Sequence, residues 1–264
     1  MKIMIQVIIL VLISAAALCG YFFARSYIVA NEEMSEFSDL RSRYTKTTEP
    51  PPCEPGDFTV TPATEVLPLI EVDFEALLSI NPDTVGWIMI PGTVISYPVV
   101  QTVNNVKYLN TSFEGNHSRA GTPFANSNND MRGLDRNTII YGHNMGMGRS
   151  DMFSTLLMYK DYDYFTANRS IRFDTIYRQH GFWEVFAVIH LDDRYRGFNN
   201  QQISFQEEAD FMEWIGQAMG LSMHGTDMVV SEGAYILTLS TCDRSRHGRY
   251  GRLLILAVRM FDNE

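Results

Sequence analysis

The sequence predicts a mainly β domain, closed as a barrel or stacked as a sandwich, behind a single membrane-spanning helix. Three observations carry this reading. Seven segments rich in β-branched and aromatic residues, at 85–90, 94–100, 137–143, 171–176, 182–191, 235–242 and 252–260, alternate with clusters of Gly, Asn and Asp. One helical pattern interrupts them at 204–219, where Phe205, Ala209, Met212, Ile215 and Met219 keep the helical period. The N-terminus opens on an apolar run from Ile3 to Ala24, broken only by Gln6, Ser14, Cys19 and Gly20.

Roughly 20 such residues suffice for a helix to cross a hydrocarbon core. Lys2 precedes the run and Arg25 follows it, while Glu32 and Glu33 come soon after, which suits an N-terminus inside and the bulk of the chain outside. Ala15, Ala16 and Ala17 could serve a cleaved signal peptide. The run continues through Leu18, Tyr21, Phe22 and Phe23, however, and outlasts the typical signal core of about 7–15 residues, so an uncleaved anchor is expected. Cys19-Gly20 is similar to a lipoprotein acceptor site, but Leu18 is bulky where that signal takes a small residue, and a membrane cysteine is the reading preferred.

Beyond the anchor, Met34, Phe37, Leu40 and Tyr44 form one apolar stripe on a short helix that is expected to pack on the domain. Residues 48–56, Thr-Glu-Pro-Pro-Pro-Cys-Glu-Pro-Gly, read as a linker in which Cys53 is incidental. Phe74, Leu77 and Leu78 suggest a helical turn that Asn81-Pro82-Asp83 ends. Ser204 and Glu207 form a capping-box pattern at the start of the later helix. The expected division is 1–24 anchor, 25–65 helix and linker, and 66–264 catalytic domain.

With 264 residues, 45% of them hydrophobic, the chain can bury a sizeable core. Its net charge of -10 argues against nucleic acid as a partner, since phosphate binding relies on clustered cations. Cys19, Cys53 and Cys242 lie far apart with no CxxC or Cys/His spacing, so neither a metal site, nor a disulfide framework, nor any cofactor is expected.

The chemistry concentrates late in the chain. Thr238-Leu239-Ser240-Thr241-Cys242 ends an apolar strand, and nine polar or Gly-rich residues separate it from Arg252, which begins the next apolar strand. Paired as an antiparallel hairpin, the two strands set Cys242 against Arg252 with Cα atoms roughly 4.5–5.5 Å apart. A neighbouring cation favours thiolate, the reactive form of cysteine, and could also hold a carbonyl oxygen as it gains charge. Among six histidines, His143 ends a strand-like run beside Gly142 and Asn144 and can face an open cleft as a proton partner. His190 sits on an apolar strand as a core or face residue, and His247 lies among Arg244, Arg246 and Arg249. That basic loop is either solvated surface or a site for an anionic acceptor, and Arg249 competes with Arg252 for the catalytic role.

Taken together, these motifs resemble the sortases. Thr238-Leu239-Ser240-Thr241-Cys242 with Arg252 matches the sortase signature. Tyr141-Gly142-His143-Asn144 with Met152-Phe153 is similar to the histidine segment of class B members. Val85-Gly86-Trp87-Ile88, Tyr97-Pro98-Val99-Val100-Gln101 and Glu184-Val185-Phe186-Ala187 extend the likeness over about residues 72–260. The resemblance implies an eight-stranded sortase-type β-barrel with N-terminal helices and a helix between the sixth and seventh strands. It implies a cysteine transpeptidase that cleaves a C-terminal sorting signal of exported proteins after Thr. The acyl group would then pass from a thioester on Cys242 to an amine of a peptidoglycan precursor or a pilin. On the same resemblance His143 is the general acid/base and Arg252 the oxyanion or substrate clamp. Ser240, two residues before the nucleophile, shares its strand face and either touches substrate or merely lines the barrel.

Two other activities fit the same fold: a secreted cysteine protease that only hydrolyses its acyl-enzyme, and a catalytically idle binding barrel. The presence of Cys242, His143 and Arg252 together disfavours the idle barrel.

Overall fold

The computed structural model describes residues 2–48, 69–146, 149 and 151–260. Cys53 and the Pro-rich stretch around it lie outside the described residues. The chain divides into two compact units, Met1–Leu40 and Arg41–Glu264.

The first unit is built from helix α1 (Lys2–Tyr44), whose last turn belongs to the second unit. Its N-terminal stretch is long and apolar enough to cross a membrane, and none of that stretch is buried. The separate short helix expected around Met34 to Tyr44 is instead continuous with the apolar run. No Gly or Pro stands between Arg25 and Glu33 to break it. Along the expected stripe Phe37 and Leu40 are buried, whereas Met34 is exposed.

In the second unit, β1 (Thr45–Thr48) and β2 (Leu69–Val72) form an antiparallel pair. Next comes α2 (Phe74–Ile80), capped by Asp73, whose carboxylate accepts the Ala76 N–H at 3.0 Å. The barrel strands follow: β3 (Thr84–Met89), β4 (Ser96–Val100), β5 (Phe124–Ala125), β6 (Asn137–Tyr141), β7 (Ser170–Thr175), β8 (Phe182–Asp192), β9 (Ile236–Cys242) and β10 (Gly251–Arg259). They close in the order β10-β8-β7-β3-β4-β5-β6-β9. This is the expected eight-stranded barrel. β5 has only two residues, too few to show alternation in sequence, yet it joins β4 at Val100 to β6 at Tyr141 and Ile140.

Strand direction decides where the chemistry gathers. β6 and β9 run parallel, so their C-terminal ends emerge at one end of the barrel. β10 runs antiparallel to both β9 and β8 and therefore begins there, with Gly251 opposite Asp192, the last residue of β8. The residues after β6, at the end of β9 and at the start of β10 thus share one rim.

The chain also holds α3 (Tyr162–Ala167) and, between the sixth and seventh barrel strands, α4 (Glu208–Leu221). Phe211, Trp214, Ile215 and Ala218 of α4 are buried in one cluster with Phe186, Ile189 and Leu254 of the barrel wall. The helix starts four residues later than its sequence suggested. Glu207, not Ser204, is the N-cap, in a reciprocal box with Asp210. Two contacts account for the shift. Phe205 packs its ring on Phe211 at 5.2 Å and on Trp214 at 5.6 Å from ahead of the helix, and Arg136 grips Glu208 with two hydrogen bonds of 2.7 and 2.9 Å in the first turn.

Candidate active site

Cys242, Arg252, His143 and Ser240 line one cleft of about 230 Å³ on this rim, together with Asn105, Leu109, Tyr141 and Asp193. Arg252 stands directly opposite Cys242 in the β9–β10 ladder, as the hairpin reading expected. Ser240 is buried, two residues before Cys242 on the same strand face.

Short polar links fix the end of β6 against the end of β9. The Gly142 N–H donates to the Ser240 carbonyl at 3.2 Å, and the Thr241 hydroxyl donates to the Gly142 carbonyl at 2.8 Å. Asn144 then donates its side-chain amide to the Cys242 carbonyl at 2.8 Å. Gly142 is required by packing, because a Cβ there would lie 2.5 Å from the ring of fully buried Phe153. Phe153 donates its own N–H back to the His143 carbonyl at 3.0 Å. The sequence Tyr-Gly-His-Asn…Met-Phe is thus one folded unit that presents the imidazole.

His143 Nε2 lies 2.7 Å from the Leu109 carbonyl. A carbonyl can only accept, so Nε2 carries the proton, and in the neutral ring Nδ1 is left as the basic nitrogen. Among the described residues Nδ1 has no hydrogen-bond partner.

The Arg252 guanidinium is held from several sides. Nη2 pairs with Asp193 at 3.2 Å, and Nη1 donates to the carbonyls of Gly251 at 3.1 Å and Arg249 at 3.4 Å. Asn200 donates to the other Asp193 oxygen at 3.1 Å, so the carboxylate is itself fixed. Burial pushes the Tyr141 hydroxyl above its usual range, and Asn126 donates to it at 3.0 Å.

Next to Cys242 in sequence lies a polar cluster that sequence reasoning did not find. Asp243 is 1% exposed and pairs with Lys160 at 2.7 Å. It also caps α5 (Arg244–His247) by accepting the Ser245 N–H at 3.0 Å, and it lies 3.4 Å from His190 Nε2. Burial alone would raise the Asp243 carboxyl, but Lys160 and the Ser245 donors outweigh it and hold the carboxyl below its ordinary value. Burial lowers His190, partly offset by Asp243. The expected loop of basic residues is therefore partly helical: α5 is followed by a 3₁₀ turn at Gly248–Tyr250 that carries Arg249.

No family model matches the chain. Sortase B of Listeria monocytogenes is 34% identical over 179 residues, 68% of this chain and 70% of the relative. Identity at that level across more than two thirds of both chains decides the family. The chain belongs to the sortase B family. Sortase B of Staphylococcus aureus is 27% identical over 257 residues, 97% of each chain, and so matches through the N-terminal helix as well. Among solved structures, sortase B of Bacillus anthracis in complex with AAEK1 superposes with a TM-score of 0.71 at 27% identity, covering 89% of this chain and all of that one. Sortases are cysteine transpeptidases, and this chain carries that family's barrel.

The cluster next to the sortase cysteine in sequence makes a stability prediction. Lys160→Met is expected to cost about 3 kcal/mol, because it leaves a buried carboxylate unpaired. Lys160→Met with Asp243→Asn should recover most of that loss. Acid acts in the same direction on both buried groups. His190, lowered in the fold, makes stability fall as pH drops below about 6.5, and Asp243, also lowered, withdraws its contribution below about 4. Urea denaturation across pH 2–8 tests this. A single Lys160 variant as stable as wild type would remove the ion pair from the account.

Proposed function

We propose that this sortase cleaves a sorting signal near the C-terminus of exported proteins, after Thr, and passes the acyl group to an amine of a peptidoglycan precursor or a pilin. The carrying observation is the meeting of His143, Cys242 and Arg252 on one cleft, brought about by the parallel β6–β9 pair and the β9–β10 hairpin. The Cys242 thiolate attacks the Thr carbonyl carbon, and Arg252 stabilises the oxyanion that forms. His143 Nδ1, having taken the proton of the Cys242 thiol, gives it to the departing amine, leaving a thioester on Cys242. The incoming amine attacks that thioester, its proton passes to His143 Nδ1, and the thiolate leaves. Ser240 touches the substrate from the floor of the cleft. The sortase B of Staphylococcus aureus has been solved as a substrate complex, and a sortase B has been solved with triglycine, which supports a peptide donor and a glycyl amine as acceptor here.

The test is cleavage of a peptide library by the purified enzyme with and without triglycine. New amide product should form at the expense of hydrolysis. Product release indifferent to every amine would mean a cysteine protease.

Helix α1 supplies the anchor in this proposal, uncleaved and single-pass, with 66–264 as an exterior catalytic domain and 25–65 as its tether. Protease added to intact protoplasts is expected to digest the domain. Full protection, or a soluble form beginning near residue 20, would contradict that topology.

A further inference from the structure

The chain is acidic overall, yet the two connections that border Cys242 reverse the sign. Residues 192–196 and 243–252 together hold Arg194, Arg196, Arg244, Arg246, Arg249 and Arg252 against Asp192, Asp193 and Asp243. All three aspartates are already engaged: Asp192 with Arg194, Asp193 with Arg252, and Asp243 with Lys160. Arg244, Arg246 and Arg249 are exposed and pair with no carboxylate among the described residues. No lysine occurs in either connection, and guanidinium, unlike ammonium, offers a planar fork that matches carboxylate and phosphate.

These arginines stand on a pinned loop. Asp243 donates its N–H to the Gly251 carbonyl at 3.0 Å and closes the loop at its base. Gly251 permits this approach, since a Cβ there would lie 1.8 Å from the Asp243 carbonyl oxygen. His247 rests on His190 with ring centres 5.0 Å apart, and the Tyr250 ring carries the guanidinium of Arg194 at 4.0 Å and that of Arg249 at 4.7 Å. The loop backbone and the Arg249 side chain therefore need little further ordering when a ligand arrives.

The cleft itself is lined largely by uncharged groups, among them Asn105, Leu109, Phe124 and Gln201, and its one carboxylate and one guanidinium neutralise each other. An acyl donor lying in that cleft leaves the second substrate to approach Cys242 from outside it, past the loop that follows the nucleophile. We propose that Arg244, Arg246 and Arg249 form an acceptor-docking surface, selecting amines that carry an oxyanion, carboxylate or phosphate, near the attacking nitrogen. This rests on the transpeptidase reading above.

The experiment compares three acceptors at saturating donor: triglycine amide, triglycyl-aspartate amide and triglycyl-phosphoserine amide. Amide formation and hydrolysis are both followed, in wild type and in the Arg244→Gln/Arg246→Gln variant. For wild type at low salt the acidic acceptors should show kcat/KM about fivefold or more above the neutral one, as exposed ion pairs of modest individual strength allow. That advantage should vanish near 1 M salt, where the screening length is about 3 Å, and in the double variant. Donor KM and the hydrolysis rate should be unchanged in the variant. The two acidic arms tell carboxylate from phosphate. Amide formation indifferent to acceptor charge, or a variant that raises donor KM instead, overturns the docking surface alone. Absence of amide with all three amines overturns the transpeptidase reading and this inference with it.

Discussion

Cys242→Ala is expected to abolish both cleavage and transfer while leaving the barrel folded. The sulfur supplies the only bond to the acyl group, so its removal leaves no covalent route. Losses near 10⁶ in turnover are typical when a nucleophile is removed from a machinery that works as a unit. The fold should tolerate the change for a local reason. Residue 242 is tied down by its backbone, through the ladder opposite Arg252 and through the Asn144 amide on its carbonyl, and neither contact involves the thiol. Circular dichroism and urea denaturation should therefore match wild type. A thiol-reactive substrate analogue should label Cys242 and spare Cys19 and Cys53. Labelling at Cys53, with activity kept in Cys242→Ala, would sink the mechanism.

The pairing of Cys242 with Arg252 was legible in the sequence because a hairpin is a local object. Two apolar strands with a short polar connection fix their own register, and the ladder puts Arg252 opposite Cys242. His143 was harder, for its approach to Cys242 depends on the parallel pairing of β6 with β9 across about 100 positions of sequence, and no local pattern announces such a pair. Its place at a strand end beside Gly142 made it a candidate, and the likeness of Tyr-Gly-His-Asn to a known family set it above the other histidines.

What stayed hidden is informative in the same way. Asp243 read as the first polar residue of a loop, but its partners Lys160 and His190 come from a 3₁₀ segment and from β8, so the burial that makes it matter is purely tertiary. Asp193 held Arg252 unseen for the same reason. The helix α4 was placed correctly by its period and wrongly by its cap. Ser204 and Glu207 satisfy the local rule, yet Phe205 gains more by packing its ring on Phe211 and Trp214 than by starting a helix.

Arg252 is expected to supply the catalytic cation, and Arg252→Lys to be nearly as impaired as Arg252→Ala. Position argues first: Arg252 faces Cys242 in the ladder and lines the cleft, whereas Arg249 lies in the 3₁₀ turn outside it. The hydrogen bonds argue next. Arg252 spends its fork on three acceptors at once, the Asp193 carboxylate and the carbonyls of Gly251 and Arg249, so its remaining donors have a fixed direction. The Arg249 guanidinium bonds the Tyr250 hydroxyl and lies on that ring, and Arg249 is not among the residues that line the cleft. A lysine at 252 keeps the charge but cannot reach Asp193 and a substrate oxygen with one planar group. Loss of one oxyanion donor lowers turnover by about 10² to 10³, roughly 2.7–4 kcal/mol. Single-turnover acylation of Cys242 in Arg252→Lys, Arg252→Ala and Arg249→Ala measures this directly, with circular dichroism to confirm folding. The first two should fall by that factor and the third should stay within a few-fold of wild type. The reverse pattern would transfer the role to Arg249, and with it the claim that the ladder, rather than the loop, aims the cation at the reacting carbonyl would fail.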